Sequence, residues 1–279
     1  MHQANYYYGH AHVLARYCAL PEPLHPPKMR GYLQHGWNIG DSQAADLRVV
    51  HGSRVFVWSE QTRRRAWSQG HRNAVVTGAP FAYLVAMEPE PPAQRREGTI
   101  FYPFHGWEGQ RITGDHARLI AEVRSVESGP ITACLYWNEF RTPRIRRVYE
   151  RAGARVICHG FRGHGWRDHN RDFLSGQLAE LRRHRRVVSN RLSSAVWYGL
   201  LAGCEAAVYG DPMLIGKADL RFGGEPRIQR QWADMYAHRT DHAVAYAMAR
   251  AELGADLLAS PAELRYHLGW TDVQDGEHG

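Results

Sequence analysis

The sequence predicts an α/β chain of two Rossmann-like α/β/α halves facing a cleft, the first abbreviated, followed by a helical C-terminus. Three observations predict it. Short apolar segments rich in Val, Ile and Tyr alternate with segments of helical periodicity from residue 31 to residue 211. One stretch, EPEPPAQRREG (88–98), is rich in Pro and charge and carries no periodicity. After it the alternation restarts and runs longer. Strand–helix–strand alternation implies parallel strands, right-handed crossovers and helices on both faces. Strands buried on both faces read as short continuous apolar runs, as these do.

In chain order, residues 9–19 read as a helix. GYLQHGW (31–37) reads as a strand entering a loop, RVFVWSE (54–60) as a strand, and QTRRRAWSQG (61–70) as a helix stopped by Gly70. AVVTGAP (74–80) is a strand with a sharp Gly/Pro end, and FAYLVAM (81–87) a short helix. Beyond the linker, TIFYPFHG (99–106) is a strand, DHARLIAEVRSV (115–126) a helix and ITACLYW (131–137) a strand. PRIRRVYERAG (143–153) is a helix with Pro in its first turn and Gly after its end. ARVICHG (154–160) is a strand, DFLSGQLAELRRH (172–184) a helix and RVVSN (186–190) a strand. SSAVWYGLLAG (193–203) is a helix and EAAVYGD (205–211) a strand. Helices then dominate, interrupted at RFGGEP (221–226). The expected units are 1–92, 93–220 and 221–279.

The 279 residues, 44% of them hydrophobic, suffice for more than one compact unit. No run approaches the roughly 18 apolar residues of a membrane span. The start, MHQANYYYGHAH, lacks the pattern of a secretory signal. Cys18, Cys134, Cys158 and Cys204 form no CxxC pair and read as reduced thiols of a cytoplasmic protein. The net charge is +7, and of 35 cationic residues only Lys28 and Lys217 are lysines. The arginines are scattered over several helices, a distribution of solvated faces rather than a nucleic-acid track.

In open parallel sheets, ligands bind beyond the carboxyl ends of the strands. The loops there read QHGW, TGAP, PFHGW, WNEF, CHGFRG, SNRLSS and YGDP. His35-Gly36, His105-Gly106 and His159-Gly160, the last followed by Arg162 and His164, each close a strand. A neutral imidazole there can act as a general base or donate to phosphate. It can equally hydrogen-bond nearby backbone. His10 and His12 alone have HxH spacing, and acidic partners are sparse, so no metal is expected. In SNRLSSAVWYGLLAG (189–203), a strand ends at Ser189-Asn190 and a polar turn leads into a helix opened by Ser193 and Ser194. Hydroxyls and N–H groups at a helix start make an anion site. Capping of the helix by Ser193 is expected in any case. Asp211 marks the rim after the next strand. There is no GxGxxG after the first strand, no GxxxxGK[ST], no GxSxG and no Asp-x-Asp clamp.

QHGW (34–37), FVWSEQ (56–61) with VVTGAP (75–80), FYPFHG (101–106) and SNRLSSAVWYGLLAGCEAAVYGDP (189–212) resemble segments of GT-B glycosyltransferases, nearest to bacterial capsule and teichoic-acid-type surface-polymer transferases. LGADLLASPAELRYHLGW (253–270) resembles the C-terminal helical segment of these families. The likeness covers most of 31–215. It implies that 1–92 is the acceptor-side half, 93–220 the nucleotide-sugar half and 221–279 a helical segment. It implies sugar transfer from a nucleotide donor to an acceptor hydroxyl, inverting, with no metal or other cofactor. His35 is then the catalytic base, with Asp41 in reserve. His105, Gly106, Trp137, His159, Gly160, Arg162, Ser189, Asn190, Ser193 and Ser194 are the expected substrate-binding residues, and Trp137 or Tyr136 would stack on the base. The expected partners are a nucleotide sugar and a carbohydrate or natural-product acceptor, without nucleic acid and with at most peripheral membrane contact. Homo-oligomer formation stays open. One departure is that Gly203-Cys204-Glu205 replaces the usual ending, so no glutamate stands at the customary ribose place. Two alternatives remain. An epimerase or hydrolase of the same fold would need Glu60, Glu108, Glu139 or Asp211 in the cleft. A non-catalytic binding module would fit the short first half.

Overall fold

The computed structural model describes residues 3–40, 49–90, 95–106, 110, 112–164, 169–215 and 224–271. A 3-10 segment, Gln3–Gly9, leads into α1 (His10–Tyr17). There follow β1 (Tyr32–Leu33), β2 (Val55–Val57), α2 (Glu60–Ser68), β3 (Ala74–Val76) and α3 (Pro80–Met87). Next come β4 (Thr99–Tyr102), β5 (Ile112–Thr113), α4 (His116–Val126), β6 (Ile131–Cys134), α5 (Trp137–Phe140), α6 (Pro143–Arg151) and β7 (Arg155–Ile157). The remainder is α7 (Phe173–Leu181), β8 (Arg186–Ser189), α8 (Ser194–Leu201), β9 (Glu205–Val208), β10 (Leu214–Ile215), α9 (Gly224–Gln231), α10 (His242–Leu253) and α11 (Pro261–Leu268). The expected α/β class with parallel sheets is therefore present.

The chain forms two compact units. One comprises Met1–Pro89, Phe161–Ser175 and Arg250–Gly279, the other Glu90–Gly160 and Gly176–Ala249. Sequence periodicity placed divisions at 92/93 and 220/221. Periodicity reports local structure, and it does not encode the returns of 161–175 and of the residues from 250 to the first unit.

The first unit carries a three-stranded sheet, β1-β2-β3, all parallel. Its central strand, β2, is buried at all three residues. Ser59, placed by the sequence pattern at the end of a strand segment, caps the start of α2, its hydroxyl accepting from Thr62 N. Ser260 and Glu263 close a capping box on α11. Gly254, at φ +60°, lets the chain after α10 pass against β2's end. A Cβ there would lie 1.9 Å from the carbonyl oxygen of Trp58.

The second unit holds the larger sheet, in the order β7-β6-β4-β8-β9, with every neighbouring pair parallel. Counted by appearance, that order is 3-2-1-4-5, a doubly wound sheet. The chain leaves β4 toward β6 and β7, then returns to place β8 on β4's other edge. The switch point lies between β4 and β8, where such sheets open a ligand crevice. Ile131, Val123, Leu119, Phe101 and Val188 fill the core beside it. Arg186 and Glu127 pair at 3.0 Å deep in this unit, with Tyr209 Oη and Thr99 Oγ1 completing the carboxylate's bonds at 2.8 Å each. α8 lies tightly on β8. A Cβ on Gly199 would meet Val187 Cγ1 at 2.3 Å, so only glycine permits this approach.

Two elements depart from sequence expectation. Residues 131–137 do not run as one strand: the strand ends at Cys134, and Trp137–Phe140 forms a helical turn. β5 and β10 form an antiparallel pair of two residues each, too short to leave a periodic signal. No helix among the described residues is long and apolar enough to cross a membrane.

Four histidines are held neutral by burial: His10 to about 3, and His12, His159 and His184 to about 4. Their folded pKa values lie below the unfolded value of 6.5. The unfolded chain thus binds more protons between pH 6.5 and about 4, and stability falls as pH falls through that window. Each site contributes up to ~1.4 kcal/mol per pH unit there. Urea midpoints at pH 7.5 and 5.0 should differ strongly, with the acidic sample weaker. Equal midpoints would contradict the burial of these rings.

Candidate nucleotide-binding rim

Because all five strands of the second unit are parallel, their carboxyl ends share one edge. That edge gathers the residues after β4 (103–106), β6 (135–140), β7 (158–160), β8 (190–193) and β9 (209–213).

Asn190 ties three of these loops together. Its Oδ1 accepts from Phe104 N at 2.6 Å, and its Nδ2 donates to Asp211 O at 2.7 Å. Ser189 Oγ donates to Tyr102 O at 2.7 Å and accepts from Arg191 N at 3.3 Å. Ser189 and Asn190 are 2% and 1% exposed, so their polar atoms hold the rim in place. Arg191 Nε donates to Pro212 O at 2.6 Å, and a second guanidinium nitrogen donates to Met213 O. Its charge sits 3.9 Å above the Phe104 ring. A cation is therefore fixed between the β4, β8 and β9 loops.

Directly after this turn α8 begins. Ser193 stands at its N-cap position in extended geometry, φ −151° and ψ 172°. The expected cap does not form, because the Ser193 side chain accepts no bond from the helix. The first turn of a helix carries N–H groups with no intrahelical partner and the positive end of the macrodipole. Ser193 and Ser194 are only partly buried.

On β4's other side, the His105 ring stacks on Tyr136 at 4.5 Å and 23°. His105 Nδ1 lies 2.6 Å from the carbonyl oxygen of Gly106. A carbonyl only accepts, so Nδ1 carries the proton. Gly106 N donates to Glu139 Oε1 at 3.1 Å. Glu139 is 7% exposed, and its Oε2 is buried without a hydrogen-bond partner among the described residues. Trp137 lies beside it with Arg141 5.4 Å from its ring centroid. His159 Nε2 is 2.9 Å from Tyr102 Oη, and burial lowers its pKa to about 4. The neutral ring and the phenol share a hydrogen bond there. Gly160 takes φ +100°, and its N–H reaches Cys158 Sγ at 3.3 Å.

The remaining expected residues belong to the first unit. His35 follows β1 in a loop braced from both sides. Gln34 accepts from Trp58 N at 2.8 Å and donates to Gly36 O at 2.9 Å. Trp37 Nε1 donates to Glu252 Oε2 at 2.7 Å, and Arg65 meets the same oxygen at 3.2 Å. His35 lies close enough to His10 to help lower its pKa, after burial. Arg162 is buried with its guanidinium 4.6 Å over Tyr7. His164 Nδ1 is 3.1 Å from Tyr7 Oη. The CHGFRGHGW stretch is thus divided, His159 and Gly160 in one unit and Arg162 and His164 in the other. Asp41 and Glu108 lie outside the described residues. Among the described residues, no group of three or more His, Cys, Asp or Glu is placed to hold a metal ion.

Sequence reasoning passed over Arg191 and Tyr102. Arg191 sits inside the quoted SNRLSS turn, and a lone cation between a strand end and a Ser-Ser helix start was the available signal. Tyr102 is the last residue of a strand and reads as core, so nothing local marked it.

No known family model matches the chain, and no curated protein matches it. Among solved structures it is similar to a mutant of S. aureus TarM in complex with fondaparinux, α-GlcNAc-glycerol and UDP. That match has 12% identity, 78% of this chain, 41% of that chain and a TM-score of 0.32. It is also similar to a Listeria monocytogenes protein described as a UDP-N-acetylglucosamine 2-epimerase, at 15% identity, 79% of this chain, 60% of that chain and a TM-score of 0.39. A third is S. aureus MnaA with UDP, at 13% identity, 75% and 56% coverage and a TM-score of 0.36. The chain spans 41% to 60% of the lengths of these structures.

Asn190→Ala removes both ties of the rim and leaves Phe104 N–H and Asp211 C=O unpaired, at ~1–3 kcal/mol for each group. Asn190→Asp keeps the acceptor and loses the donor, so it should fall between. Equilibrium urea unfolding measures both. A loss below ~0.5 kcal/mol for the alanine variant would show that the amide does not hold the rim.

Proposed function

We propose that this chain is a glycosyltransferase that uses a nucleotide-activated sugar. The second unit holds the nucleotide, with the diphosphate at the first turn of α8. The observation that carries the reading is the uncapped start of α8 beside the β4/β8 switch point. There the backbone supplies donors, Ser193 makes no cap bond, and Arg191 is held nearby as a cation. Such an arrangement favours an anion over water. The same groups neutralise charge on the departing nucleoside diphosphate, the part a divalent metal plays in other transferases. No metal or cofactor is needed on this reading.

The resemblance of the 189–212 segment to the nucleotide half of GT-B enzymes supports sugar transfer over simple binding. His35 is the proposed base that takes the proton of the acceptor hydroxyl, with Asp41 in reserve, and the transfer inverts the sugar. Support for His35 is its position at a strand end, in a loop fixed by Gln34 and by the Trp37–Glu252 bond. Rigid support of a base is what proton transfer requires. His105, Trp137 and His159 line the nucleotide side, and Arg162 belongs to the same proposed set in the first unit. The acceptor is a carbohydrate or natural product, and the protein works in the cytoplasm.

Thermal-shift titration with ADP, GDP, CDP and UDP tests the nucleotide claim. A nucleotide at 100 times its Kd stabilises the fold by ~2.7 kcal/mol. One or two of the four should raise Tm, and Ser193→Ala with Ser194→Ala should weaken the effect. Flat curves for all four would defeat the reading. With the donor that binds, His35→Ala should lower kcat for transfer by ~10²–10⁴ and leave nucleotide affinity unchanged. Donor consumption without any acceptor would point instead to an epimerase or hydrolase.

A further inference from the structure

Arg191 has a carboxylate beside it that binding an anion does not call for. Glu225 stands in the first turn of α9, its Oε2 4.0 Å from Arg191 Nε. That is close enough for attraction and too long for a hydrogen bond. The firm bonds of the guanidinium go to the carbonyls of Pro212 and Met213. The firm bond of Glu225 also goes elsewhere: its Oε1 accepts from Tyr236 Oη at 2.7 Å, with Gln229 Nε2 at 3.4 Å. The two side chains are 17% and 12% exposed, so water screens the pair only in part. Burial lowers the pKa of Arg191, and Glu225 is the first of the groups that oppose it, ahead of Tyr236 and Asp211. The Tyr236 phenol is raised in turn, by burial and then by its bond to Glu225.

Each member of the pair is thus fixed by something other than the pair. An ordinary ion pair opens when a better anion arrives, because both side chains are free to move. Here Tyr236 holds Glu225, so its negative charge stays in place when Arg191 meets a second anion. A phosphate that approaches Arg191 is attracted by the guanidinium and repelled by the carboxylate behind it. The repulsion grows with the charge of the ligand. In a nucleotide sugar both phosphates are esterified, and the diphosphate carries two negative charges. Transfer breaks the bond between the anomeric carbon and the terminal phosphate oxygen, which keeps the electron pair. The freed diphosphate then has an unesterified terminal phosphate, whose second pKa is about 6, so it carries close to three charges at pH 7.

We propose that Glu225 is a fixed counter-charge that weakens the hold of Arg191 on the departing nucleoside diphosphate, so that the site favours the nucleotide-sugar donor and lets the product go. The proposal rests on the nucleotide reading above. Glu225 acts through Arg191 and through its field, and it touches neither donor nor acceptor on this account. Tyr236 keeps it there.

Calorimetric titration at pH 7.5 separates the two claims. The probes are ADP, GDP, CDP and UDP, and the glucose ester of each diphosphate that binds, read by displacement of that diphosphate so that weak esters are measured too. Glu225→Gln removes the charge and keeps an oxygen for Tyr236 Oη. It should bind the preferred diphosphate about threefold to tenfold tighter than wild type, with a clearly smaller gain for the glucose ester. A change that only disturbed packing would weaken both ligands together. Tyr236→Phe keeps the charge and frees it to turn toward water, so it should give a smaller gain of the same sign. It also carries the test if the glutamine form fails to fold. If the variants bind the diphosphate no tighter than wild type, the counter-charge is overturned and the nucleotide reading stands. An equal gain for diphosphate and ester overturns the preference for donor over product. If neither wild type nor the variants bind any probe, the nucleotide reading falls and the proposal falls with it.

Discussion

The amide of Asn190 is the constraint on which the rim of the second unit depends. A parallel sheet brings five strand ends to one edge, but nothing in the ladder itself fixes the loops beyond it. Asn190 does so with both ends of one side chain, holding Phe104 N and Asp211 O across three strands. Ser189 adds a bond to Tyr102 O beneath it. With the β4, β8 and β9 loops joined, Arg191 can be anchored on the carbonyls of Pro212 and Met213. The start of α8 is then placed by close packing of Gly199 on Val187 rather than by a side-chain cap. The polar groups of the turn are divided accordingly. Ser189 and Asn190 are consumed by structure, and Ser193 makes no cap bond.

Burial acts on the histidines in the same way. His159 hydrogen-bonds the phenol of Tyr102, and His184 accepts from Thr132 while donating to Glu180 O. Loss of water keeps both rings neutral. His105 is fixed differently, by a stack on Tyr136 and a bond to Gly106 O. Three His-Gly pairs that read alike as a sequence therefore take three different settings, one of them, at His35, in the other unit.

The fold class was legible because its carriers are local. Apolar runs and Gly and Pro stops each act over a few residues. The larger sheet's strands fall inside the predicted segments for that reason. Long-range facts left no such mark. The return of 161–175 and of the residues from 250 to the first unit depends on contacts distant in sequence. The β5–β10 pair is too short for periodicity. At the rim, the Ser-Ser helix start was visible in the sequence, but whether Ser193 spends its oxygen on a cap is decided by backbone angles. Glu139 could be read only as one of several scattered carboxylates. What distinguishes it is a buried oxygen without a donor, a property of packing.

The central claim is that the first turn of α8 receives an anionic ligand. Amide hydrogen exchange across residues 189–200, with and without the nucleoside diphosphate that gives the largest thermal shift, tests it most directly. The account predicts slower exchange at Ser194 and Ala195 on binding, with the apolar later turns of α8 unchanged. Binding that leaves those two amides as they were, while slowing exchange at another strand end, would contradict it.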